Sequence, residues 1–169
     1  MTMDAVASAA GVGKGTVFRR FGDRAGLTVA LLDDYMLEFQ DAFLSGPPPL
    51  GPGAPAPARL DAFFAELIRI QVTNIQPALA AETLPGPPTA AFGSLLVHVR
   101  ALLHEIDDAP EADLVAGMLL SAVAPSTLHH LRTALNADIG ALQAAIGILL
   151  HPVTGSPRRP PNAPAATTA

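Results

Sequence analysis

Cysteine is absent from this chain of 169 residues. Without a thiol the protein can form no disulfide bond, and no side chain can act as a thiolate nucleophile. A chain of this composition fits the reducing cytoplasm.

Long apolar runs are also missing. The longest candidate, Leu114 to Pro125, is too short to cross a bilayer and includes Ser121. The N-terminus has no basic region followed by an apolar one, the pattern of a secretory signal. We therefore expect no membrane contact and a cytoplasmic location.

A catalytic constellation is the third feature that the sequence lacks. We find no nucleophile paired with a base, no carboxylate pair at a working spacing and no phosphate-binding loop between a strand and a helix. His98 and His104 are six residues apart, about 240° around a helix, so they cannot share a ligand on one face. We expect no enzyme, no cofactor and no metal site.

Basic charge is scarce overall but concentrated near the N-terminus. The net charge is −5, yet residues 1–26 hold four basic residues against two acidic ones, a net of +2. The remaining residues hold six arginines against thirteen acids, a net of −7. Because phosphate repels an acidic surface, any contact with DNA must go through the N-terminal segment.

That segment predicts two short helices joined by a tight turn. Val6 to Ala10 is an Ala-rich apolar run typical of a helix, and Gly11 can take positive φ where the chain leaves it. A second short helix begins at Gly13 and carries most of the basic residues. Two short helices with a glycine-containing turn form the helix-turn-helix unit, whose second helix enters the major groove.

The same residues resemble the DNA-binding signature of TetR-type transcriptional regulators. The match is carried by Ala7, Ala10, Gly11, Val12, Lys14, Gly15, Thr16, Phe18, Phe21, Arg24 and Leu27. So many residue types at fixed spacing make a specific match. It covers about residues 2–35 in detail, and beyond them only the plan of successive apolar helices is similar.

The resemblance implies a set of DNA-binding residues. They are Thr2, Gly13, Lys14, Gly15, Thr16, Phe18, Arg19, Arg20 and Arg24. Lys14 would donate to guanine or phosphate, Thr16 would touch a phosphate or a thymine methyl group, and Arg24 would clamp a phosphate. The resemblance also places three side chains in the core: Val12, Val17 and Phe21.

Three residues depart from the family pattern. Gly13 stands where a capping serine is common, and Phe18 stands where tyrosine is common, so the hydroxyl that would reach phosphate is missing. Arg20 replaces the common histidine and can supply a phosphate contact instead.

The family also has a helix before this point, which packs across the two short helices and which this sequence does not contain. Each buried aliphatic side chain of such a helix would contribute about 1.5–3 kcal/mol. We therefore expect either that the true start lies upstream or that the DNA-binding unit is only marginally folded.

The rest of the chain predicts apolar helices between proline-rich loops. A long helix over residues 23–44 ends at a loop over residues 45–57, and helical spacing over residues 60–75 ends at Pro77. Residues 83–88 form a second loop, residues 89–106 a core helix and residues 111–150 the last apolar helices. Pro125 either kinks a helix there or starts the next one.

We predict an all-α fold, in which an N-terminal helix-turn-helix forms an incomplete three-helix head and an orthogonal helical bundle forms a ligand-binding and dimerisation body. Residues 1–45 are the DNA-binding part with its linking helix, and residues 57–151 are the body. Residues 152–169 are rich in proline and poor in apolar side chains, so we expect a disordered tail.

Gln71 falls on the apolar stripe of its helix. It is interpreted either as a satisfied core residue or as a polar group that lines a ligand cavity, since such cavities are mostly apolar with a few polar groups. The candidate ligand-binding residues are Phe39, Phe43, Phe64, Leu67 and Gln71.

The predicted function is a DNA-binding transcriptional regulator, a dimeric repressor that a small hydrophobic effector releases. Its partners would be double-stranded operator DNA, the effector and a second copy of the chain. By resemblance, the last two helices of each subunit would form the dimer interface. The alternative is a dimeric helical ligand-binding or interaction protein that has lost DNA binding through N-terminal truncation.

Overall fold

The computed structural model describes residues 2–82, 90–107 and 110–154, with the backbone alone described at residues 24, 25, 28, 29, 31 and 90–92. These ranges form helices and no strand, which confirms the predicted all-α fold. The helices are α1 (Met3–Ala9), α2 (Lys14–Phe21), α3 (Arg24–Ser45), α4 (Ala56–Thr73), α5 (Ile75–Glu82), α6 (Ala90–Ile106), α7 (Ala112–Ala122), α8 (Pro125–Leu135) and α9 (Ile139–Thr154).

Buried apolar side chains form two clusters, and α3 contributes to both. The small cluster joins α1, α2 and the start of α3 through Met3, Ala7, Val17 and Leu27. The large cluster draws on α3 to α9. Helix α4 is its centre, because it packs against α3, α5, α6, α8 and α9 and buries apolar side chains along its whole length.

The predicted helix end at Pro77 is wrong. Helix α4 ends at Thr73, because Asn74 leaves the helical conformation with ψ of 38°. The Asn74 Nδ2 donates to the carbonyl of Ile70 at 3.0 Å. Helix α5 then includes Pro77 in its first turn. The N–H groups of a first helical turn have no intrahelical acceptor, so a proline there removes no hydrogen bond.

Two further prolines mark the C-terminal helices. Pro125 starts α8, and the axes of α7 and α8 differ by 47°. Helix α9 continues through Pro152 to Thr154, three residues into the predicted tail, because Leu150 is buried and Val153 packs against the large cluster. Residues 155–169 and the predicted loop over residues 83–88 lie outside the described residues.

No single helix in the described ranges is both long enough and apolar enough to cross a bilayer. Helices α7 and α8 meet that test only as a pair, with the bend between them.

Candidate nucleic-acid interface

The turn between α1 and α2 has the geometry that the sequence predicts. Thr2 caps α1, since its Oγ1 accepts from the backbone N–H of Ala5 at 3.2 Å. Gly11 has φ of +65°, and the N–H of Val12 donates to the carbonyl of Ala7 at 3.0 Å. Gly13 is the extended N-cap of α2 and provides no side-chain cap. The chain therefore forms a helix-turn-helix over α1 and α2.

The small cluster fixes the orientation of α2. Val17 is 4% exposed and packs with the buried side chains of α1 and α3, and Phe21 lies at the edge of this cluster. The prediction that Val12 is a core residue is wrong, because its side chain is 43% exposed. Val12 lies in the turn between the helices, outside the cluster that the helical side chains fill.

The remaining side chains of α2 face outward. Those at its two ends carry the predicted DNA-binding groups, and all are exposed: Lys14, Gly15, Thr16, Phe18, Arg19 and Arg20. A Cβ added at Gly15 would meet no atom within 4 Å, so a ligand backbone can approach closely there. The structure thus brings six of the nine predicted residues together on one short helix.

An ion pair that the sequence pattern does not predict links α1 to α2. The Lys14 Nζ lies 2.7 Å from the Asp4 Oδ1, and both side chains are more than half exposed. The same Nζ lies 5.8 Å from the centroid of the Phe18 ring. The Arg20 guanidinium lies 5.7 Å from the centroid of the Phe21 ring.

The junction of α2 and α3 depends on two glycines and one aspartate. Gly22 has φ of +74°, and the Asp23 Oδ1 caps α3 by accepting from the N–H of Gly26 at 2.8 Å. A Cβ at Gly26 would collide with the backbone carbonyl of Phe21. Gly26 therefore sets how closely α3 approaches the end of α2. An isolated glycine inside a helical pattern is the sequence feature that indicates such a close approach.

Arg24 is the first residue of α3. Its side chain lies outside the described part of the chain, so its role as a phosphate clamp stays a prediction.

The predicted ligand-binding residues lie in the large cluster. Phe39, Phe43, Phe64 and Leu67 are all buried there, with the Phe39 and Phe43 ring centroids 5.2 Å apart. Gln71 is half-buried, and its Oε1 has no hydrogen-bond partner among the described residues. Within the same residues, no three His, Asp or Glu side chains are grouped so that they could hold a metal ion.

His98 was not among the predicted site residues, yet it joins this aromatic group. Its ring centroid lies 4.2 Å from that of Phe43 and 5.2 Å from that of Phe63. Burial, and secondarily the positive charge of Arg59, lower the pKa of His98 from 6.5 to about 4. Arg59 itself pairs with Glu105 across 3.6 Å.

An open apolar groove of about 680 Å³ lies between α6, α7 and α8. Its lining includes Leu96, Leu114, Met118 and Thr127. None of the predicted ligand-binding residues lines it.

Comparison with known proteins finds a similarity in the N-terminal part of the chain. Residues 1–31 match the family model of bacterial regulatory proteins, tetR family. No curated protein and no solved structure matches the chain. The matched residues comprise α1, the turn, α2 and the start of α3, which are the elements that form the helix-turn-helix. Over these residues the chain is similar to bacterial regulatory proteins of the tetR family.

Proposed function

We propose that this protein is a dimeric transcriptional repressor that binds operator DNA through α2 and is released by a small hydrophobic effector. The observation that carries the proposal is the exposed basic surface of α2 in a chain of net charge −5. A nucleic acid is attracted to such a surface and repelled by the rest of the molecule. A bacterial regulator of this kind acts in the cytoplasm, where the DNA is.

In the proposed complex α2 lies in the major groove. Lys14 and Thr16 begin the helix and would reach base edges or phosphates, while Arg19 and Arg20 would neutralise phosphates. Thr2 accepts its capping bond with an oxygen lone pair, so its hydroxyl hydrogen can be donated to a phosphate. Gly13 and Gly15 let the backbone approach, and Phe18 would pack against the sugar–phosphate backbone.

Dimerisation would place two copies of α2 in successive major grooves, about 34–36 Å apart. Exposed apolar side chains support it: on α9, Ile148 is 73% exposed and Leu149 is also exposed, and on α8 Leu135 is exposed. A dimer interface on the last two helices requires exposed apolar side chains of this kind.

Effector release would act through α3. This helix buries Leu27 in the small cluster and Phe39 and Phe43 in the large one. An effector that separates the aromatic side chains of the large cluster would shift α3 and with it α2. Coupling of this kind is typically about 1–3 kcal/mol.

The test is fluorescence-anisotropy binding of the full chain to DNA fragments from around its own gene, at low and at near-physiological ionic strength. Lys14→Gln is compared with Arg100→Gln, which removes the same charge from α6. We expect saturable binding to one fragment, weakened by Lys14→Gln together with a salt slope lower by about 1, and unchanged by Arg100→Gln. Failure to bind any fragment would favour a dimeric helical ligand-binding or interaction protein.

A further inference from the structure

The side chain of Lys14 has a protein partner at the surface that would face DNA. Its Nζ lies 2.7 Å from the Asp4 Oδ1 and 5.8 Å from the centroid of the Phe18 ring. The pair joins α1 to α2, so it orients the ammonium toward α1 in the free protein.

Asp4 differs from the other acidic residue among residues 1–26. The Asp23 carboxylate caps α3 through the N–H of Gly26, which is a structural role. Asp4 also lies in the first turn of its helix, but the contact of its carboxylate is with the cation that begins α2. At 63% exposure its side chain remains open to solvent. Because the carboxylate lies 2.7 Å from the Lys14 Nζ, it would lie close to any phosphate that Lys14 contacts.

We propose that Asp4 limits the affinity of this protein for DNA, by holding the Lys14 ammonium until a phosphate oxygen or a guanine edge replaces the Asp4 carboxylate. The inference rests on the proposed function. Two effects act in the same direction: DNA binding must break the ion pair, and the carboxylate that is left repels phosphate. Asp4 is thus a positioning residue that acts through Lys14.

The experiment measures anisotropy with a labelled random-sequence duplex of about three helical turns. The variants are Asp4→Asn, which keeps the shape and removes the charge, Asp4→Glu, which keeps the charge, Lys14→Gln and the double variant. Asp34→Asn is the matched control, since Asp34 is an exposed aspartate of α3 and its substitution changes the net charge equally.

We expect Asp4→Asn to bind the duplex roughly two- to fivefold more tightly than the parent chain, the range expected for loss of one exposed ion pair. We expect Asp34→Asn to bind like the parent chain. Asp4→Glu should also keep the parent affinity, because it keeps the negative charge beside Lys14. In the Lys14→Gln background, Asp4→Asn gives a smaller gain, because only the repulsion between the carboxylate and phosphate is left to remove. Circular dichroism of each variant verifies that α1 and α2 stay helical.

The inference is overturned if Asp4→Asn gains no more than Asp34→Asn, or gains as much without Lys14 as with it. If Lys14→Gln weakens binding while Asp4→Asn has no effect, the inference fails and the proposed function stands. If the parent chain binds neither this duplex nor the fragments from its own gene, both fail.

Discussion

The imidazole of His98 on α6 lies with its centroid 4.2 Å from that of the Phe43 ring on α3, at an angle of 33° between the two planes. His98 is buried, and its Nε2 has no hydrogen-bond partner among the described residues. A titratable ring therefore forms part of the packing that attaches α3 to the body.

Acid should weaken this packing. Burial lowers the pKa of His98 to about 4, so in the folded state the ring stays neutral while in the unfolded state it takes up a proton below about pH 6.5. The free energy of unfolding is then unaffected by His98 above pH 6.5 and falls as the pH drops from 6.5 to 4, by up to about 3 kcal/mol.

The measurement is urea unfolding across that pH range for the parent chain, for His98→Leu and for His130→Gln, an exposed histidine of α8. His98→Leu should flatten the pH dependence, and His130→Gln should not. An equal slope in the parent chain and in His98→Leu would contradict the prediction.

Gly26→Ala should destabilise the helix-turn-helix. The new Cβ would collide with the carbonyl of Phe21, and relief requires a backbone shift that costs about 1–3 kcal/mol. Amide hydrogen exchange of α1 and α2 should be correspondingly faster.

Gly15→Ala is the matched substitution. Its Cβ enters open space, and alanine is favoured over glycine inside a helix by about 1 kcal/mol. Exchange in α2 should therefore become slower. Faster exchange in both variants would contradict the prediction, because it would show that the loss of stability does not come from the contact between Gly26 and Phe21.

Ile148→Glu should dissociate the proposed dimer. In a symmetric dimer each substitution appears once in each subunit, so the interface would contain two new carboxylates. Each carboxylate would lose its hydration on association, which opposes the dimer. We expect the dimer dissociation constant to rise about 100-fold or more, which corresponds to roughly 3 kcal/mol. Sedimentation equilibrium measures it.

Leu37→Glu is the control, because Leu37 is a 61% exposed side chain on α3, outside the last two helices. It should leave the association unchanged. A dimer that survives Ile148→Glu and dissociates with Leu37→Glu would place the interface on α3.

Phe18→Tyr should tighten DNA binding. The ring is 40% exposed at the surface of α2, so a hydroxyl added at its outer end can donate to a phosphate. One such hydrogen bond corresponds to about a two- to tenfold gain in affinity. Anisotropy with the duplex used for the Asp4 variants measures the gain, and a tyrosine variant with parent affinity would exclude a phosphate from the vicinity of this ring.

The elements around α2 were predictable because local residue chemistry specifies them. Thr2 and Asp23 cap helices through bonds to residues three positions on, and Gly11 takes the positive φ that its position requires. Such contacts need no knowledge of how distant segments pack.

What sequence reasoning missed depends on packing between elements. The contact of Asp4 with Lys14 spans ten residues and exists only at the angle that the turn sets between α1 and α2. His98 becomes part of an aromatic group because α3, α4 and α6 meet at its position. The family resemblance implied a buried Val12, but the small cluster is filled without it.

Helix α3 is one uninterrupted rod of 22 residues, about 33 Å long. It is held near one end by Leu27 and near the other by Phe43. A rod of this length acts as a lever: a tilt of about 5° about its Phe43 end carries the opposite end through about 3 Å. In the proposed effector response, a displacement too small to disturb the large cluster would therefore move the N-terminal end of α3 by nearly the rise of one base pair.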